Sequence, residues 1–264
     1  MKSDVFNPFD YLSTTLINAY YLIEGSCSNS NKKIHGIRVV SKNIRSILYF
    51  IKPFFKNKEF IQSQKEFYKQ ISKNLEQKRE AQVLSKTFNF IIKKSGLQYD
   101  DFLNIKKHID DEISLLNKET AHIDETQESI LRAFGNLCAY KHVHVSKKDI
   151  NKRLKETYKK TSRLLNVAIK TNKIEDIHHF RKYAKYYMYQ LQALEGNIHC
   201  SQKIMKQLNK LTSTLGKIHD IDLFEQYTQK YQSEKEYTLL KKYIGDIQKK
   251  LIKKAFKQSK KIFK

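Results

Sequence analysis

"HGIRVVSKNIR", residues His35–Arg45, combines basic and apolar side chains at the spacing of an α-helix. At about 100° per residue, its four basic side chains fall within an arc of about 80°. They are His35, Arg38, Lys42 and Arg45, and the apolar side chains on the opposite side are Ile37, Val40, Ile44, Ile47, Leu48 and Ile51. Residues 33–52 contain no acidic side chain. Because like charges along one helix face repel each other, the pattern predicts an amphipathic helix whose cationic side binds an anionic ligand.

A second stretch of the chain repeats this pattern. "IHHFRKYAKYYMYQLQAL" begins at Ile177, and three of its basic residues match the first stretch at an offset of 143 residues: His178, Arg181 and Lys185. The next position pairs Arg45 with Met188. That end of the second cationic stripe is therefore predicted to be weaker than the first, or to be filled by a residue from elsewhere in the chain.

Another pair of matching stretches follows the two stripes. "LEQKREAQVL" begins at Leu75 and "LGKIHDIDLF" at Leu215, an offset of 140 residues. The matched polar positions pair Arg79 with His219, Glu80 with Asp220 and Gln82 with Asp222. Two collinear matches predict a duplicated group of helices with internal pseudo-twofold symmetry. The non-periodic residues 139–146 separate the copies, so we predict one domain over 1–264 with halves at 1–140 and 147–264.

The composition predicts an all-α protein. Only 7 Gly and 2 Pro occur in 264 residues, and no sustained alternation of apolar and polar residues indicates strands. Helical periodicity predicts helices over 8–26, 33–51, 58–76, 79–95, 99–118, 124–140, 147–171, 174–195, 198–216, 219–231 and 234–258. Ser146 followed three residues later by Asp149 is typical of a helix N-terminus.

The charge balance points to an anionic partner. The chain carries 51 Lys and Arg against 27 Asp and Glu, a net charge of +24, and such an excess destabilises a compact state by self-repulsion. The three cysteines, Cys27, Cys138 and Cys200, have no metal-ligand spacing. We find no signal peptide and no stretch of about 18 apolar residues, so we expect a soluble, cytoplasmic protein without membrane insertion.

These motifs resemble the CHAD domain, the conserved histidine α-helical domain. "HGIRVVSKNIR", "HHFRKYAKYYMY" and "LGKIHDIDLF" fit its two motifs well, whereas "LEQKREAQVL" is a degraded copy. The resemblance implies two helical bundles whose two His/Arg/Lys helices line a central basic channel or groove. It also implies binding of inorganic polyphosphate and association with polyphosphate granules. The ligand-facing residues that it implies are His35, Arg38, Lys42, Arg45, His178, Arg181 and Lys185, with Met188 in place of an expected Arg.

Further basic residues are candidates for the same site. In the helix predicted from residue 147, Arg153, Lys160 and Arg163 share one face within about 80°. Lys32 and Lys33 precede the first stripe, and Arg79 and His219 begin the later motif copies. Asp220 and Asp222 are expected to orient basic side chains or to cap a helix.

Several functions share this chemistry. Nucleic acid is an alternative polyanion, although no recognition-helix or RNA-binding motif occurs. An enzyme acting on phosphates, such as a polyphosphatase, would need a base or a metal-activated water, and neither a phosphate-binding loop nor a metal-ligand cluster is visible in the sequence. A protein that coats granules or anionic membrane surfaces is the third alternative. We expect a protein that binds polyphosphate without catalysis and holds no cofactor and no metal.

Overall fold

The computed structural model describes residues 4–24, 30–118, 122–231 and 235–263. Ten α-helices contain most of these residues, which confirms the all-α prediction. They are α1 (Pro8–Glu24), α2 (Ser30–Ile51), α3 (Lys58–Asn74), α4 (Glu76–Ser95), α5 (Leu103–Lys118), α6 (His122–Gly135), α7 (Lys147–Thr171), α8 (Ile174–Ala193), α9 (Gln202–Thr228) and α10 (Lys235–Ser259). Short 3₁₀ helices cover Lys52–Phe54, Tyr99–Phe102, Leu137–Tyr140 and Gln229–Tyr231. No described helix is long and apolar enough to cross a membrane.

Polar side chains fix where several helices begin. The Oδ1 atoms of Asn7 and Asn57 accept hydrogen bonds from Phe9 N and Phe60 N, both at 2.9 Å. Ser146 Oγ accepts one from Asp149 N at 3.2 Å, so the N-terminus predicted there is confirmed. These bonds pair backbone N–H groups that the first turn of a helix leaves without partners.

Two expectations about elements were wrong. Strands β1 (Val5–Phe6) and β2 (Val145–Ser146) form one antiparallel pair, which is too short to produce an alternating pattern in the sequence. The segments predicted at 198–216 and 219–231 are the single helix α9. Its buried side chains at Leu211, Leu215 and Ile218 keep the helical spacing across Gly216, and one glycine costs a helix only about 1 kcal/mol.

The chain forms two compact units, each drawn from three segments. The first contains residues 1–79, 120–161 and 183–202, and the second contains 80–119, 162–182 and 203–264. Helices α7 and α8 each contribute one segment to each unit. Both units draw on residues before and after the 139–146 boundary, so the halves at 1–140 and 147–264 remain a prediction from the sequence repeat.

Helix α2 is the central element of the first unit. It contacts α1 and α3, and α6 also contacts α1 and α3. The apolar side of α2 is fully buried at Ile44, Ile47 and Leu48. Burial of this side fixes the rotation of α2 about its axis and therefore the direction in which its basic side chains point.

The second unit is built around aromatic and branched side chains of α4, α5, α9 and α10. Phe88, Phe102 and Phe224 are almost completely buried there, together with Ile91 and Ile105. The Glu236 carboxylate accepts hydrogen bonds from the backbone N–H groups of Asn104 and Ile105, at 3.2 and 2.9 Å. It therefore ties the start of α10 to the N-terminus of α5.

Candidate functional site

The cationic stripe of α2 lies opposite the buried side of the helix, as predicted. His35 is exposed, and Arg38, Lys42 and Arg45 are partly exposed. Val40, predicted on the apolar side, is partly exposed rather than buried. The four basic side chains thus follow one helix at the surface of the first unit.

Two of the predicted ligand residues contact the C-termini of neighbouring helices. Lys33 Nζ donates to the carbonyl oxygen of Ile23 at 2.6 Å, in the last turn of α1. The guanidinium of Arg38 donates to the carbonyl oxygen of Ser72 near the end of α3, and its Nη2 lies 3.4 Å from Glu76 Oε1. Carbonyls at a helix C-terminus carry partial negative charge and lack intrahelical partners. Both cations therefore have a structural role.

Arg153 of α7 has a similar role at the end of α2. Its Nε and Nη2 donate to the carbonyl oxygens of Phe50 and Tyr49, both at 3.1 Å, and Nη1 pairs with Glu156. Only 13% of the Arg153 side chain is exposed. The guanidinium thus stabilises the C-terminus of α2 and fixes α7 against it within the first unit.

Cations also gather around one tyrosine, in a group that we call the Tyr49 cluster: Tyr49, Lys65, Arg153, Lys160 and Tyr183. The ring centroid of Tyr49 lies 5.8 Å from Lys65 Nζ, 5.5 Å from Arg153 Cζ and 5.9 Å from Lys160 Nζ. Lys160 Nζ also lies 4.4 Å from the ring of Tyr183, which packs edge-on against Tyr49. Cation–π attraction offsets part of the repulsion among the three positive groups.

The neighbourhood of Arg45 contains mixed charges. Burial raises the pKa of the Tyr186 hydroxyl, and the nearby Arg45 charge opposes that rise. The pKa of Glu66 is lowered, chiefly by the hydrogen bond from Lys69 and further by the charges of Arg45 and Lys65. One carboxylate therefore accompanies this end of the α2 stripe, although α2 contains no acidic residue between 33 and 51.

The second stripe, on α8, has a more buried environment. Arg181 and Lys185 are partly exposed. His178 Nε2 lies 2.8 Å from Asp222 Oδ2, which bears out the expectation that Asp222 orients a basic side chain. Met188, at the position matching Arg45, is only 6% exposed. An apolar residue there is explained by burial, and the α8 stripe contains no cation at that position.

The remaining predicted residues are distributed over the two units. Lys32 and Arg163 are exposed, and Arg79 and His219 are partly exposed. Arg163 belongs to the second unit, whereas Arg153 and Lys160 of the same helix belong to the first. The face predicted to carry all three is therefore shared between the units.

Sequence reasoning missed two groupings. Lys65 and Tyr183 were not singled out, because α3 has no motif and their closeness to Tyr49 depends on packing between helices. His178, His219 and Asp222 form the second grouping, with one potential metal-ligand atom from each within 4.8 Å of the others. The matching motif copies gave the only signal for it, since His219 and Asp222 both lie in "LGKIHDIDLF".

The fold and these surfaces define an all-helical protein with a cationic stripe and a Lys/Arg/Tyr cluster suited to anions. The CHAD domain profile matches residues 22–229, which is most of the chain. The protein belongs to the CHAD domain family. No curated protein and no solved structure matches the chain.

Proposed function

We propose that this protein binds inorganic polyphosphate without catalysing a reaction. The observation that carries the proposal is the convergence of Lys65, Arg153 and Lys160 on Tyr49, one turn beyond Arg45 on the cationic face of α2. Grouped like charges are costly, and a linear anion would remove that cost. Membership of the CHAD domain family and the net charge of +24 support the same ligand.

The binding chemistry is electrostatic. Lysine ammonium groups offer mobile point charges to phosphate oxygens, whereas arginine can bind two oxygens at once. Because Arg38 and Arg153 bind helix C-termini, we assign direct phosphate contact in the first unit mainly to His35, Lys42, Arg45, Lys65 and Lys160. In the second stripe we assign it to His178, Arg181 and Lys185. Lys32, Lys33, Arg79, Arg163 and His219 add positive charge nearby.

The finer architecture is part of this proposal. The repeat of His-x2-Arg-x3-Lys supports a pseudo-twofold arrangement in which the two motif helices line a central basic channel. We further propose a cytoplasmic site of action at polyphosphate granules. A fluorescent fusion that stays diffuse in cells containing stained granules would contradict that location.

Thermal unfolding with and without polyphosphate tests the ligand. A ligand at 100 times its Kd stabilises the native state by about 2.7 kcal/mol, so we expect a clear rise in Tm at low salt. Lys42→Gln/Lys160→Gln should weaken binding at least about tenfold. The matched control Lys106→Gln/Lys107→Gln removes the same charge from exposed positions of α5 and should bind like the parent.

Three results would overturn the proposal. The first is no rise in Tm with polyphosphate, and the second is equal weakening by the two double variants. The third is displacement of bound polyphosphate by nucleic acid at lower phosphate concentration, which would indicate a nucleic-acid-binding protein. A separate assay measures phosphate release from polyphosphate with and without magnesium. Release in either condition would show that the protein is an enzyme and would contradict the proposal that it only binds polyphosphate.

A further inference from the structure

Helices α1 and α6 of the first unit share a surface that is apolar at its centre. Gln127 of α6 donates a hydrogen bond to the Glu24 carboxylate, so α6 begins beside the end of α1. The 3₁₀ helix that follows α6 also contacts α1, so α6 runs antiparallel to it. Ile17 and Tyr21 lie one turn apart on α1, and Leu131 lies one turn after Gln127. These three side chains are 44%, 68% and 50% exposed.

Acidic side chains flank this apolar centre, although the protein as a whole is strongly basic. The chain has no Lys or Arg at 3–31 or at 119–131. Arg132 follows, about 100° from Leu131 around α6. We call this surface the α1/α6 face, and its exposed residues are Ile17, Tyr21 and Leu131 with Glu24, Glu125 and Glu128.

The exposed side of α10, in the second unit, has the opposite charge and an apolar residue of its own. Side chains three, four, seven or eight positions apart lie on the same side of a helix. We call this side the α10 face, and its exposed residues are Lys235, Leu239, Lys242, Lys250 and Lys253. Leu239 is 55% exposed. Asp246 lies on the same side, so lysines outnumber carboxylates there.

We propose that the α10 face of one copy of this chain binds the α1/α6 face of another copy. Leu239 meets the apolar centre of the α1/α6 face, and removal of these side chains from water favours the contact. The lysines of the α10 face meet the carboxylates, which fixes the register of the two helices against α10. Because the two faces differ, each copy keeps one unused face and further copies add head to tail.

The charge of the α1/α6 face selects this occupant. Its carboxylates repel polyphosphate, nucleic acid and anionic membrane surfaces alike. Two α1/α6 faces also repel each other, because their carboxylates meet across the twofold axis of such a pair. The occupant must therefore be basic and partly apolar, and the α10 face of another copy has both properties.

Sedimentation velocity of the full chain over a wide range of protein concentration tests the contact. Polyphosphate is left out, so the result does not depend on the ligand proposed above. At about 0.15 M salt the Debye length is about 8 Å, so repulsion between distant charges of two copies is screened more than attraction within a contact. We expect the weight-average mass to rise with concentration above the 31.4 kDa of one chain, through dimers to larger species.

Two double variants each remove one face. Glu128→Lys/Leu131→Lys makes the α1/α6 face basic, and Leu239→Glu/Lys242→Glu makes the centre of the α10 face acidic. Like charges opposite each other across an interface are strongly unfavourable, so each variant alone should self-associate at least about tenfold more weakly than the parent. Each variant keeps the face that the other lacks, so a mixture of the two should associate again.

A matched variant separates this contact from general charge repulsion. Glu112→Lys/Leu115→Lys makes the same two exchanges at the same spacing on α5, where Leu115 is exposed, and should associate like the parent. Circular dichroism melts establish that each variant is folded.

Four results would overturn the proposal. They are a parent that stays monomeric at every concentration, equal weakening by the α5 variant, a mixture of the two face variants that stays monomeric, and dimers of Leu239→Glu/Lys242→Glu as strong as those of the parent. The last result would show that two α1/α6 faces pair with each other.

Discussion

Arg153 of α7 stabilises the C-terminal end of α2. It donates to two carbonyl oxygens of α2 and pairs with Glu156. The Glu156 side chain is 46% exposed, so that ion pair adds little to stability. The bonds to the carbonyls matter more, because they pair groups that the end of α2 would leave unsatisfied.

Arg153→Met should therefore destabilise the protein. Hydrogen bonds to a charged group contribute about 1.5–3 kcal/mol, and methionine retains much of the apolar stem. We expect the free energy of unfolding in urea, followed by circular dichroism, to fall by about 2 kcal/mol. Lys152→Met changes an exposed neighbour on α7 in the same way and should have little effect. Equal losses in the two variants would refute the stabilising role.

Helices were the elements best predicted from the sequence, because their signals are local. The segment predicted at 147–171 is α7, and its N-terminus was identified from Ser146 and Asp149. The spacing of Ile37, Ile44 and the basic residues correctly predicted which side of α2 is buried and which side carries the cations. The periodicity divided α9 into two segments at Gly216, although the helix continues through that glycine.

Substitution by alanine should change the free energy of unfolding in opposite directions at two glycines that differ in backbone conformation. Gly216 is inside α9, and a Cβ there would meet no atom within 4 Å. Gly216→Ala should raise the free energy of unfolding by about 0.5–1 kcal/mol, because glycine loses more conformational freedom on folding.

Gly96 ends α4 with a φ of +68°. Leu97 N donates to Ile92 O at 3.3 Å, the bond that closes a helix terminated by a left-handed residue. Gly96→Ala should lower the free energy of unfolding by about 1–2 kcal/mol. The pair of variants is measured by urea unfolding. A change of the same sign in both would contradict the assignment of Gly96 as a left-handed helix terminus.

At the scale of the whole molecule, the sequence predicted the fold class and the family but not the detailed site. The stripes were visible because their residues lie within one helix each. The Tyr49 cluster and the grouping of His178, His219 and Asp222 were not visible, because each joins residues of different helices through packing. The same limit explains why the bonds of Arg38 and Arg153 to helix C-termini were not predicted, because the carbonyl groups that accept them lie 34 and more than 100 residues away in the sequence.

The net charge of +24 predicts that salt has opposite effects on the Tm of the free protein and on the additional stabilisation by polyphosphate. Without ligand, added salt screens self-repulsion, so Tm should rise between low salt and about 0.2 M sodium chloride. With polyphosphate, salt weakens binding, because the counterions that binding releases gain less entropy when the surrounding salt is more concentrated. For a protein that makes about six phosphate contacts with DNA, raising the salt from 50 to 200 mM lowers the affinity roughly a thousandfold. We expect a loss of similar size for polyphosphate.

The increase in Tm that polyphosphate causes should therefore shrink across this salt range while the Tm of the free protein increases. Differential scanning fluorimetry with and without polyphosphate measures both trends on the same samples. Inorganic phosphate at the same phosphate concentration is the control, and it should stabilise the protein far less, because separate phosphates do not share the entropy cost of binding. Stabilisation by polyphosphate that is independent of salt would mean that the basic surfaces do not hold the ligand, and a free protein whose Tm is lowered by salt would mean that ion pairs outweigh self-repulsion.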